Sequence, residues 1–63
     1  MIPRKIIEDL VDNYVYIYIK NVTREFAGIV KSINESDIVV IADKNENLSY
    51  IPLSEISVIT ERR

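Results

Sequence analysis

The strongest constraint on the fold lies in residues 14–43, YVYIYIKNVTREFAGIVKSINESDIVVIAD. Here the polarity alternates with a period of two. Val15, Ile17 and Ile19 share one face of an extended run, and Tyr14, Tyr16 and Tyr18 share the other. Asn21-Val22-Thr23 is a break short enough for a hairpin. A second run over 24–33 carries the only glycine of the chain, Gly28, at its centre. A glycine in mid-strand permits a sharp bend or a close backbone approach. A third run over 37–42 is a continuous apolar block, the pattern of a strand covered on both faces. Three strands with a bend among so few residues predict a sheet that curls on itself.

The flanking segments complete the pattern. Ile6, Ile7, Leu10 and Val11 form one apolar stripe, predicting a short helix over residues 2–12 with Pro3 in its first turn. Arg4 and Lys5 come early, and Glu8, Asp9 and Asp12 late, against the helix macrodipole. Such a helix is marginal alone and must dock on the sheet. After the polar turn Lys44-Asn45-Glu46-Asn47, residues 48–51 read as a fourth strand. Leu53-Ser54-Glu55 reads as a tight turn after Pro52, and residues 56–60 as a fifth strand.

Composition narrows the function. A chain of 63 residues is expected to form one domain, 1–63, and chains of this size are marginally stable alone. There is no cysteine and no histidine, which removes disulfides, thiolate sites and the commonest zinc ligand and general base. Oligomerisation is therefore the expected source of extra stability. The chain has no nucleophile–base pair at motif spacing and no glycine-rich phosphate loop, so catalysis is not expected, nor any metal or cofactor. A formal charge of −2 disfavours sequence-blind wrapping of nucleic acid but allows a small site repeated by symmetry. No apolar run approaches the ~18 residues of a membrane span, and no signal peptide is evident. A cytoplasmic location without membrane association is expected.

The order of these pieces resembles the Sm and Sm-like (LSm) family, in its small Hfq-related bacterial and archaeal form. The first family motif is matched by Ile19-Lys20-Asn21, Arg24-Glu25-Phe26-Ala27-Gly28-Ile29-Val30-Lys31, Asn34-Glu35-Ser36-Asp37 and Ile38-Val39-Val40. The second, more degenerate motif falls on 50–59. The resemblance implies an all-β fold: a small SH3-like Sm barrel of five strongly bent antiparallel strands over 14–60, capped by the short N-terminal helix. It also implies a homo-oligomeric ring, a hexamer or heptamer, working in RNA metabolism. In such rings the fifth strand pairs with the fourth of the next subunit. Leu48, Tyr50 and Ile51 would then meet Ser57, Val58, Ile59 and Thr60.

The resemblance also implies a single-stranded RNA pocket built from two loops. By position, Asn34, Ser36 and Asp37 supply the first loop, and Ser54 and Glu55 the second. The family's stacking ring falls on Ser36, its arginine on Pro52 and its glycine on Leu53. All five residues are also ordinary turn formers. Arg4 and Lys5, and Arg62-Arg63 at the other end, are the basic residues that a ring would multiply into a patch. The competing expectations are a ring-forming assembly module with a degenerate RNA pocket, acting through protein–protein contacts, and an unrelated SH3-like adaptor. The three tyrosines are read chiefly as packing groups, with base stacking as the alternative.

Overall fold

A computed structural model describes residues 2–62. A helix, α1 (Arg4–Asp9), precedes five strands: β1 (Tyr14–Ile19), β2 (Glu25–Ile33), β3 (Ile38–Ala42), β4 (Leu48–Pro52) and β5 (Ile56–Glu61). A 3-10 turn, Leu53–Glu55, joins the last two. All pairings are antiparallel, in the order β4-β3-β2-β1-β5. The sheet does not close within the chain: β4 and β5 are its two edges.

The alternation read from the sequence sets the core. Val15 and Ile17 are fully buried, while Tyr14 and Tyr16 are only half-buried and Tyr18 is exposed on the other face. Val30, Val39, Ile41, Ile51, Leu53 and Ile56 join them, and Ile7 brings α1 onto this layer. β3 departs from simple alternation: Val39, Ile41 and Ala42 are buried, and Ile38 and Val40 are half-covered.

The helix is shorter than the expected 2–12 and its buried face is shifted. Ile6 is exposed, whereas Ile7 is buried and Leu10 and Val11 pack against the core from the turn that follows. Six residues give less than two turns, so only one apolar position of α1 reaches the core. The exit is fixed by Asp12, whose φ of 74° is left-handed, and by its N–H donating to Val30 O at 2.8 Å. Asn13 O accepts from Val30 N–H at 3.1 Å, so the linker is stitched to β2.

Gly28 serves close approach. A Cβ there would lie 2.7 Å from Ile41 Cγ2 and closer still to the Ala42 carbonyl oxygen. The break in strand register falls later, between Val30 and Ser32, where β2 carries an extra residue against β3. The β1–β2 hairpin turns through Asn21 at φ 59°, a left-handed position that asparagine tolerates. Val22, where the family pattern has glycine, needs no positive φ here.

Candidate nucleic-acid interface

The loop after β2 is organised by Asn34. Its side-chain oxygen accepts from the N–H groups of Ser36 at 2.9 Å and Ile38 at 3.0 Å. Its backbone carbonyl accepts from Asp37 N–H, and its own N–H donates to Ile38 O. This lets Asp37 sit at φ 60°, a conformation that Asp and Asn adopt more readily than most residues. The Asn34 acceptor proposed for a base is thus already engaged; its amide donors are in no hydrogen bond among the described residues.

The second loop lies against the first. Leu53 N–H donates to Asp37 O at 2.8 Å, which continues the β3–β4 ladder past Pro52. Buried Leu53 anchors the 3-10 turn, leaving Ser54 and Glu55 exposed on it. Glu55 is tied back to the β1–β2 turn through Lys20 N–H, which donates to Glu55 O at 2.9 Å. The two loops expected to share a pocket are therefore joined through their backbones. No hydrogen bond joins the side chains of Ser54 or Glu55 to those of Asn34, Ser36 or Asp37 among the described residues.

The basic residue Arg4, expected in a surface patch, is found at the first of these loops. Arg4, from α1, donates through Nη1 to Asn34 O at 3.1 Å and to the Asp37 carboxylate, and through Nε to Glu8 at 2.9 Å. Glu8 first, then Asp37, hold the Arg4 guanidinium above its ordinary pKa. Lys5 is paired with Asp9 at 3.0 Å, which raises its pKa as well. The two cations expected to line a ring face are thus both matched by acids of the same helix. Arg63 lies outside the described residues.

A separate open cleft of about 370 Å³ lies elsewhere, lined by Ile29, Lys31, Ala42, Asp43, Lys44, Glu46 and Leu48. None of the five candidate RNA residues lines it. The tyrosine face is also largely taken up by its own contacts. The Tyr14 and Tyr16 rings meet edge to face at 5.8 Å, and the Arg62 guanidinium stacks 4.1 Å from the Tyr14 centroid. Tyr18 hydrogen-bonds Glu25 across the ladder, which raises the phenol pKa.

Both edges offer backbone groups for further pairing. Bonded and non-bonded pairs alternate along an antiparallel ladder. The contacts Leu53 N–H to Asp37 O and Asp43 N–H to Asn47 O fix that alternation for β3–β4. The N–H and C=O of Leu48 and Tyr50 therefore point to the outer side of β4. Pro52 occupies an outward position too, where its missing N–H interrupts no ladder. On β5, Arg62 N–H to Tyr14 O fixes the alternation and turns the backbone groups of Ile59 outward. Beside them Tyr50 is 64% exposed and Leu48 and Val58 each 50%; the Ile51 side chain is buried in its own core. Of the expected interface residues, Ile51 thus has little side chain to offer a neighbour, and the Ser57 hydroxyl donates to Tyr18 O within the chain.

No protein-family model matches this chain, and no curated protein sequence matches it. Among the described residues no helix is long and apolar enough to cross a membrane, and no group of three or more acidic residues could hold a metal ion.

Proposed function

We propose that the protein is the subunit of a homo-oligomeric Sm-like ring that binds single-stranded RNA, its sheet curling into the small SH3-like barrel of that family. The observation that carries this reading is the strand order, which leaves β4 and β5 as two outward-facing edges on one small chain. Exposed edges of this kind invite pairing unless something blunts them. Among the edge positions, only Pro52 lacks a donor. An antiparallel junction between copies sets Ile59 of one copy opposite Leu48 or Tyr50 of the next. Residues opposite each other share a face, so the exposed Tyr50 ring would cover half-buried Ile59. Repeated head to tail with a closing rotation, this junction makes a ring.

The RNA part of the reading is supported by the joined loops. Leu53 N–H and Asp37 O join the backbones of the two loops, and a ring would repeat Ser54, Glu55 and the Asn34 amide donors in every subunit. A second reading, assembly without RNA, is favoured by one specific observation: Asn34 Oδ1 and the Asp37 carboxylate already have partners within the chain. Native mass spectrometry with and without a short oligouridine or oligoadenosine strand separates the two. Ring-sized masses that take up RNA at low salt support the first reading. Rings that take up neither strand leave the assembly reading, and single chains contradict both.

A further inference from the structure

We propose that the tyrosine row of β1 is a docking strip for an extended, arginine-bearing segment of a protein partner, and that Arg62 is the internal occupant such a segment displaces. The inference is independent of the RNA reading above and holds for a ring or a single chain. Tyr14, Tyr16 and Tyr18 stand on one face of β1. The Arg62 guanidinium lies 4.1 Å from the Tyr14 ring centroid, so this ring already serves as a guanidinium platform. Tyr16 braces it edge to face at 5.8 Å, with the ring planes 71° apart. The hold on Arg62 is exchangeable. Its side chain is exposed and makes no hydrogen bond or ion pair among the described residues. Its backbone N–H, donating to Tyr14 O at 2.9 Å, is a separate contact. The guanidinium can therefore leave the ring without unpairing β5 from β1.

The other end of the row offers an acid. Glu25 lies opposite Tyr18 in the β1–β2 ladder, and opposite residues share a face. Glu25 is exposed, and no cation pairs with it among the described residues; its partner is the neutral Tyr18 hydroxyl. Tyr14 and Tyr18 are separated by about 13 Å, at about 3.3 Å per residue along a strand. An extended peptide sets two side chains of one face at this same spacing when they are four positions apart. One arginine then takes the Tyr14 ring and the other meets Glu25. The formal charge of −2 draws a cationic partner. A nucleic-acid strand fits the row less well, because Glu25 repels its phosphates.

The internal occupant supplies the test. The probe is a dye-labelled peptide, Arg-Gly-Ser-Gly-Arg, with a citrulline version as the uncharged control. Binding is measured by anisotropy at low salt for wild type, Arg62→Ala, Tyr14→Leu, Tyr14→Leu with Arg62→Ala, Glu25→Gln and Lys31→Gln, with circular dichroism recorded for each. Arg62→Ala removes the competitor and is expected to tighten binding roughly two- to fivefold, the worth of one exposed cation–π contact. Lys31→Gln, which removes a cation elsewhere on the surface, is expected to match wild type. Tyr14→Leu is expected to weaken binding and to abolish the gain from Arg62→Ala. Glu25→Gln is expected to weaken binding and flatten its salt dependence. Binding seen only in Arg62→Ala also supports the proposal. A gain from Arg62→Ala that survives Tyr14→Leu reports net charge alone and overturns it. So does a citrulline peptide that binds as the arginine peptide does, or an arginine peptide that binds neither wild type nor Arg62→Ala. An oligouridine that loses its binding in Tyr14→Leu, with the peptide bound by no variant, makes the row a base-stacking face and overturns the proposal too. If Tyr14→Leu fails to fold, the direction of the Arg62→Ala change against Lys31→Gln decides.

Discussion

The backbone of Gly28 lies directly against the carbonyl of Ala42, with no room between them for a methyl group. The obstacle is backbone on the facing strand, which cannot rotate aside as a side chain can. Gly28→Ala must therefore push β2 and β3 apart where both are buried. Overpacking of this kind costs about 1–3 kcal/mol. Urea denaturation is expected to show that loss as a lower midpoint with an unchanged slope. An unchanged midpoint would mean that the two strands are not held this close.

The β3–β4 turn carries a residue in an unfavourable conformation. Glu46 sits at φ 63°, where a side chain with a Cβ is strained and glycine is not. Glu46→Gly is expected to stabilise the protein by about 0.5–1 kcal/mol, after the extra entropy glycine loses on folding. Thermal denaturation checks this, and a lower midpoint for the variant would contradict the left-handed assignment.

The same turn predicts a pH dependence. The Asp43 carboxylate accepts from the N–H groups of Asn45 at 2.8 Å and Asn47 at 2.9 Å, and the Asn47 contact is the main cause holding its pKa below the ordinary 3.8. A depressed carboxylate stabilises the fold at pH values above its unfolded pKa. That contribution is lost as pH falls below about 4 and through the lower, folded value. Asp43→Asn keeps a side-chain acceptor but removes the titrating group. Melting temperatures followed from pH 5 downward are expected to fall less steeply for Asp43→Asn than for wild type. Parallel curves would show that the turn does not depend on the charge.

Much of this architecture is legible in the alternation of Val15, Ile17 and the tyrosines, and in the apolar run of β3. These patterns depend only on which side chains face the core. The element ends are less legible, because they depend on hydrogen bonding. Pro52 reads as a break, yet it belongs to β4, since its missing donor points away from β3. The helix reads two residues longer at its start and three at its end, because the apolar residues Leu10 and Val11 pack from a turn instead of a helix. Asn34, Asp37 and the second loop can be picked out by position. Arg4 cannot: its contact with Asp37, 33 residues away, exists only once α1 has docked.

The edges give a selective variant. Tyr50 N–H points away from β3, so Tyr50→Pro removes an outward donor without breaking the β3–β4 ladder. Tyr50→Lys tests the same edge with no backbone constraint, by placing a charge on it. Both variants are expected to keep the wild-type circular dichroism while the solution mass falls to that of single chains, measured by light scattering after gel filtration. Variants that keep the wild-type mass would exclude β4 as the contact between copies.

The central claim is that one chain, open at β4 and β5, is completed by copies of itself. Native mass spectrometry of the wild-type protein at micromolar concentration tests it most directly. The account predicts one closed species at about six or seven times the 7.3 kDa chain mass. A spectrum dominated by the 7.3 kDa chain alone would contradict it.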